Sequence, residues 1–233
     1  VPAFDAVLFD LDNTLCRHEQ SAETIYFGAF ERADIEPVGT PSDLWEALDG
    51  DPPPDDPTDY LADGFARVSD QYGVSVDARR LAEGFRETVD YRAVSFVSGA
   101  ERALAAASEH GPVGLITNGP SSRQRVKLDA LGIGEAFDVV VYAGDLPRRK
   151  PYPDPFEDAL DALDVRSNSA LYVGDSVEHD VVGAQRAGIP VAWFADGGEW
   201  DERWNEVDPP AYVLDRMGGL ADVLGDDASA STV

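Results

Sequence analysis

The stretch "AVLFDLDNTL", residues 6–15, decides the fold. A short apolar run, Ala6 to Phe9, leads into two aspartates one position apart, Asp10 and Asp12, followed by Asn13 and Thr14. An apolar run of this length bounded by aspartate suits a buried strand. Paired carboxylates just beyond it suit the mouth of an open parallel sheet, where ligands bind outside the carboxyl ends of the strands.

Working outward, the same β-rich pattern returns at "GPVGLIT" (111–117), "FDVVVYAG" (137–144), "SALYVGD" (169–175) and "IPVAWF" (189–194). Amphipathic segments lie between these runs: "GAERALAAASEHG", "SSRQRVKLDALGI", "DPFEDALDALDV" and "EHDVVGAQRAG". Several end in the glycine expected after a helix. Alternating strand and helix predicts an α/β fold, a Rossmann-like parallel sheet with helices on both faces.

Residues 16–95 break that alternation. "EQSAETIYFGAFERA", "PSDLWEALD", "PTDYLADGFARVSDQYG" and "DARRLAEGFRETVDYR" all favour helix, and "GDPPPDDP" (50–57) supplies a stiff acidic loop between two of them. The pattern predicts a core of residues 1–15 and 96–225, a helical insertion over 16–95 and a disordered tail over 226–233. The insertion's aromatics Tyr26, Phe27, Phe30, Trp45 and Phe65 read as its core.

The sheet rule brings Asp10, Asp12, Thr117 and Asp175 from three strand ends to one crevice. A carboxylate at a strand tip can act as a nucleophile and accept a phosphoryl group as an aspartyl-phosphate. Attack by an anion on an anion needs charge neutralisation, which Mg²⁺ supplies through carboxylate and phosphate oxygens. Asp175 is the second carboxylate for that ion, and Lys150 adds a fixed positive charge. Asp12, two residues past the nucleophile, can reach the leaving-group oxygen as the proton donor and later activate water. Thr117 and the backbone of Asn118 offer donors to a phosphoryl oxygen. Asp180, five residues after Asp175, is placed to orient Lys150 or a metal-bound water. His18 and His179 flank the first and last of these segments and read as supporting or surface residues.

"DLDNT", the strand-ending Thr117, Lys150 in "RRKPYPDPF" and "GDSVEHD" stand in the order of the four motifs of the haloacid dehalogenase-like (HAD) superfamily, and the resemblance covers nearly the whole chain. It implies nucleophile for Asp10, acid/base for Asp12, phosphate binding for Thr117 and charge neutralisation for Lys150. Asp10, Asp175 and the backbone carbonyl of Asp12 are the implied Mg²⁺ ligands. The insertion resembles the family's α-helical cap, which closes over the site and selects substrate. Asp12 resembles the phosphatase branch and not the dehalogenase branch, which lacks an acid there and needs no Mg²⁺. Phosphonatases place a Schiff-base lysine in the cap, and residues 16–95 contain no lysine. Residues 117–160 are similar to the pyrimidine 5'-nucleotidase and N-acylneuraminate-9-phosphatase branch, with phosphoglycolate phosphatase equally in view. A phosphomutase of the β-phosphoglucomutase type and a non-catalytic binding or regulatory protein are the alternatives.

Charge limits the partners. The chain carries 45 acidic and 18 basic residues, a formal charge of −27, which excludes nucleic acid as a general partner. Only Lys127 and Lys150 are lysine. The acid is spread through periodic apolar segments, and a 43% hydrophobic fraction makes this a folded chain and not an acidic disordered one. Surface acid with almost no lysine resembles the halophilic archaeal type, in which molar salt shortens the Debye length to roughly 3 Å and screens the self-repulsion. One cysteine, Cys16, excludes an intrachain disulfide and a thiolate metal cluster. The apolar runs are too short to cross a bilayer and no leader pattern is seen, so the expectation is a cytoplasmic protein without membrane contact, acting on a small phosphorylated metabolite. Oligomeric state is not legible in the sequence.

Overall fold

The computed structural model describes residues 4–48, 57–201 and 204–229. The chain divides into two compact units, one of residues 1–17 with 94–233, the other of residues 18–93.

The first unit opens with β1 (Ala6–Phe9), whose four residues are all buried. The chain passes through β2 (Cys16–His18) into the second unit and returns at β3 (Val94–Phe96), which pairs with β2. The division falls at 17/94, and the sequence-based boundaries at 15/96. There follow α5 (Ala100–His110), β4 (Val113–Thr117), α6 (Ser121–Leu131), β5 (Val139–Tyr142), α7 (Asp154–Leu163), β6 (Ala170–Gly174), α8 (Val182–Arg186), β7 (Val191–Phe194), β8 (Tyr212–Leu214) and α9 (Leu220–Ser229). The numbers α1 to α4 belong to the second unit.

Six strands form one sheet in the order β5-β4-β1-β6-β7-β8, every pair parallel. Successive side chains of a strand point to opposite faces. Val7 and Phe9 therefore pack with Ala103, Leu104 and Ala107 of α5 and Leu220 and Leu224 of α9. Leu8 enters the other core, with Phe156 and Leu160 of α7 and Ala184 of α8. Helices cover both faces, which is why β1 is apolar at every position. β1 lies between β4 and β6, so the chain leaves the sheet to opposite sides from neighbouring strand ends. That switch point opens a crevice above β1.

The second unit comprises α1 (Ala22–Ala33), α2 (Pro41–Ala47), α3 (Pro57–Gln71) and α4 (Ala78–Thr88). Ser21 caps α1 by accepting from the Thr24 amide. Thr40 and Asp43 form a reciprocal capping box on α2, with Pro41 in its first turn. Tyr26, Phe30, Phe65, Leu81 and Phe85 make its core. Phe27 and Trp45, expected inside, are 40% and 53% exposed. Each follows a buried neighbour, Tyr26 or Leu44, and one residue turns a helix by about 100°, off the core stripe.

Of the loop expected at residues 50–57, Pro57 begins α3 and the rest lies among residues 49–56, outside those described. The tail expected to be disordered from residue 226 continues as α9 through Ser229, with no proline or glycine after Gly225 to stop it; residues 230–233 lie outside the described ones.

Candidate active site

The loop after β1 turns sharply. Asn13 adopts a left-handed backbone (φ 62°), which asparagine tolerates better than most residues, and its amide donates to the Cys16 carbonyl at 2.8 Å. The turn leaves Asp10 on the strand axis and carries Asp12 to the side. Asp10 is buried, 6% exposed, and its backbone amide donates to the Val173 carbonyl of β6 at 2.9 Å.

Lys150 is the electrostatic centre. Its Nζ lies 2.7 Å from Asp10 Oδ1, 2.8 Å from Asp180 Oδ1, 2.9 Å from the Ile116 carbonyl and 2.8 Å from the Tyr172 hydroxyl. Burial disfavours the ammonium, but the carboxylates of Asp10 and Asp180 outweigh it and hold the pKa above the usual lysine value. Asn118 fixes the backbone here: its side-chain amide donates to the Lys150 carbonyl and accepts from the Lys150 amide, both at 2.9 Å. This bracket leaves the Asn118 backbone at the end of β4, beside Thr117.

Asp180 does not sit in an ordinary helical turn. Residues Val177–Val181 form a π-turn running into α8, and Ser176 caps it by accepting from the His179 amide. Asp180 Oδ2 accepts from the Ser176 amide at 2.9 Å while Oδ1 meets Lys150 and Tyr172. Of the two roles read from sequence, orientation of Lys150 is the one the geometry carries. The close approach depends on Gly174, where a Cβ would lie 2.5 Å from Asp180 Cγ. Gly174→Ala is expected to cost about 1–3 kcal/mol by overpacking, several degrees of melting temperature. A thermal melt coincident with the wild type would contradict that packing.

Asp10, Asp175 and Asp180 each offer a carboxylate oxygen, all within 4.8 Å of one another. Asp180 is already committed to Lys150 and Ser176, so Asp10 and Asp175 are the pair available to a cation. Thr14, fully buried, donates to Asp175 Oδ1 at 3.2 Å, and Trp193 Nε1 donates to the Asp175 carbonyl at 2.7 Å. Burial raises the Asp10 carboxyl to about 8 against the pull of Lys150, with Asp180, Asp12 and Asp175 adding to the rise. Burial, then Asp180, raises Asp175 to about 6. Four carboxylates thus face two ammoniums, those of Lys127 and Lys150, leaving the formal charge that one divalent cation balances. The donor set, hard oxygens with excess negative charge, fits such an ion.

Asp12 has a different environment. Lys127 Nζ lies 2.5 Å from its Oδ1, and Gln124 Nε2 donates to its Oδ2 at 2.6 Å. Its side chain faces α6. Gln124 Nε2 also reaches Thr117 Oγ1 at 2.6 Å.

Asp10, Asp12, Thr117, Asn118, Lys150, Asp175 and Asp180 all line one open cavity of about 300 Å³, the lower end of the range for small-molecule sites, and His18 does not. His179 lines it too; its Nδ1 is buried with no hydrogen-bond partner among the described residues. Sequence reasoning missed Thr14, Gln124, Lys127 and Tyr172. For Lys127 a signal existed, since only one other lysine occurs in the chain.

Known proteins resemble the chain along nearly its whole length. A curated pyrophosphatase, PpaX of Bacillus cereus, is 28% identical over 231 residues, spanning 94% of this chain and 96% of its own length. Among solved structures, Bacillus subtilis YfnB bound to magnesium superposes with a TM-score of 0.73 at 20% identity, covering 95% of this chain and 99% of that one. A predicted phosphoglycolate phosphatase of Haemophilus somnus superposes at 0.70 and 19% identity, covering 95% and 98%. These two likenesses show the shared fold. The model of the haloacid dehalogenase-like hydrolases matches residues 7–194, from the first strand through β7 and across all the residues of the cavity, and the chain belongs to that family.

Proposed function

We propose that this chain is a Mg²⁺-dependent phosphomonoester hydrolase that works through an aspartyl-phosphate on Asp10. The observation that carries the reading is the contrast between the two aspartates: Asp10 is buried on Lys150, while Asp12 is held apart by α6. One carboxylate attacks and the other handles protons, which accounts for both in "DLDNT".

Mg²⁺, held by Asp10, Asp175 and the Asp12 carbonyl, supplies neutralisation of the phosphate dianion when bound. Lys150 fixes one oxygen of Asp10, leaving the other to attack phosphorus. Thr117 Oγ1 accepts from Gln124, so its own proton is free to donate to a phosphoryl oxygen beside the Asn118 amide. Asp12 delivers a proton to the departing oxygen as the P–O bond breaks, then takes one from the water that attacks the phosphoryl group on Asp10. Water's oxygen ends in phosphate and the Asp10 carboxylate is regenerated.

The substrate class is a small phosphorylated metabolite: nucleotide, phosphoglycolate or sugar phosphate. The pyrophosphatase relative adds inorganic pyrophosphate to the candidates. The 18–93 unit serves as the substrate-selecting cap. The −27 charge and the near absence of lysine support a cytoplasmic enzyme of halophilic archaeal type, working in molar salt. Among the described residues no helix is long and apolar enough to cross a membrane.

The test is phosphate release from a panel of these esters and pyrophosphate in molar KCl, with Mg²⁺ or with chelator. Release from at least one compound, lost on chelation, is the expected result, and both activity and folding should fail in dilute buffer. A folded protein silent across the panel would contradict the hydrolase reading, and isomerisation of a sugar phosphate without phosphate release would replace it with a mutase. A stable, active enzyme at low salt would overturn the halophilic reading alone.

A further inference from the structure

We propose that Gln124 and Lys127 of α6 are positioning residues for Asp12, and that Gln124 couples Asp12 to Thr117 so that proton donor and phosphate donor are set together. The proposal rests on the phosphatase reading above and deepens it.

The two residues stand three apart on one face of α6, the face that also buries Leu128. Gln124 is 1% exposed and Lys127 8% exposed. An inward helix face is where apolar side chains belong, and burying an ammonium there is costly unless it is paired. A local rule broken in this way marks a functional position more often than a structural one. Composition points to the same residue. The chain uses arginine for sixteen of its eighteen basic positions and keeps lysine only at 127 and 150, both buried and both on a carboxylate of this cavity. A compact ammonium can meet one oxygen of Asp12 while a neighbour takes the other; a guanidinium fork would claim both.

Burial does not hold Asp12. Its side chain is 45% exposed, against 9% for Asp10 and 2% for Asp180. What fixes its rotamer is the pair of contacts from α6, Lys127 on Oδ1 and Gln124 on Oδ2. The same Gln124 nitrogen meets Thr117 Oγ1, which orients the hydroxyl proton outward from α6.

Gly119 supplies an independent observation. A Cβ at this position would lie 2.4 Å from both Cδ and Nε2 of Gln124. The missing side chain at residue 119 is therefore what gives the amide its path to Asp12 and Thr117.

A proton donor matters most when the leaving group is a poor one, and this separates positioning from mere support of the fold. The experiment compares kcat/KM, which ends at phosphoryl transfer to Asp10, for an alkyl phosphate and for p-nitrophenyl phosphate. Lys127→Met is expected to lower the alkyl ester by about 10²-fold and the nitrophenyl ester by about threefold or less; Gln124→Ala, which also releases Thr117, is expected to add a loss common to both esters while keeping the excess loss on the alkyl ester. Gly119→Ala should follow Gln124→Ala in sign. In an Asp12→Ala background, Lys127→Met should add nothing further on the alkyl ester. Gln124→Ala leaves no new buried charge, so it keeps the test open if Lys127→Met does not fold. Equal losses on both esters, or a Lys127→Met loss that adds to that of Asp12→Ala, would overturn the proposal and leave a structural tether. A wild type active on neither ester would overturn the phosphatase reading, and this proposal with it.

Discussion

Asp10→Asn is expected to abolish phosphate release while leaving the fold in place. Asparagine keeps the shape of the side chain and an oxygen for Lys150, but its amide cannot form the acyl phosphate. The expected loss in kcat is about 10⁴-fold or more, roughly 5 kcal/mol of transition-state stabilisation. Stability should move the other way. The Asp10 carboxyl is raised to about 8 in the fold, so the folded protein binds this proton more tightly than the unfolded chain does. Its contribution therefore favours folding at low pH and is lost as pH rises from about 4 to about 8. Asparagine carries no such penalty, and the metal-free variant at pH 8 is expected to melt no lower than the wild type. A marked drop in melting temperature would contradict the account of a strained, charge-crowded nucleophile.

Lys150→Met has the largest expected effect on stability. The ammonium is 1% exposed and lies within 2.8 Å of oxygens from both Asp10 and Asp180. Removing the cation from a buried ion pair strands the partner charge, at a cost of about 3–5 kcal/mol. Activity should fail as well, because Asp10 loses the contact that holds one of its oxygens and so aims the other at phosphorus. Asp180→Asn added to Lys150→Met removes one stranded carboxylate and should recover part of the lost stability without recovering turnover. Urea denaturation with a phosphate assay on the same samples separates the two effects. Full stability in Lys150→Met would show that the triad of charges is not coupled as described.

The fold was legible where periodicity speaks plainly. Each of the five strands read from the sequence contains an observed strand, because strands buried on both faces are continuous apolar runs. The three-residue strands β2, β3 and β8 escaped notice, being too short for any period to register. At the site, Asp10, Thr117, Lys150 and Asp175 could be read because strand ends and sequence order place them. Gln124 and Lys127 could not. They lie 112 and 115 residues from Asp12 in sequence, and in an amphipathic segment a polar residue reads as solvent-facing until the packing is known. Thr14 was visible in "DLDNT", yet its bond to Asp175 spans 161 residues and has no local sign. Tyr172 sits within an apolar strand, where its ring explains its presence and its hydroxyl's contacts with Lys150 and Asp180 go unseen.

The central claim is that a phosphoryl group passes through Asp10. The most direct measurement is acid quenching of the wild type in mid-turnover on a radiolabelled ester, followed by peptide mapping. The account predicts an acid-stable, hydroxylamine-labile phosphate on the peptide containing Asp10, present in the wild type and missing in Asp10→Asn. Turnover with no label on that peptide, or with label at another residue, would contradict it.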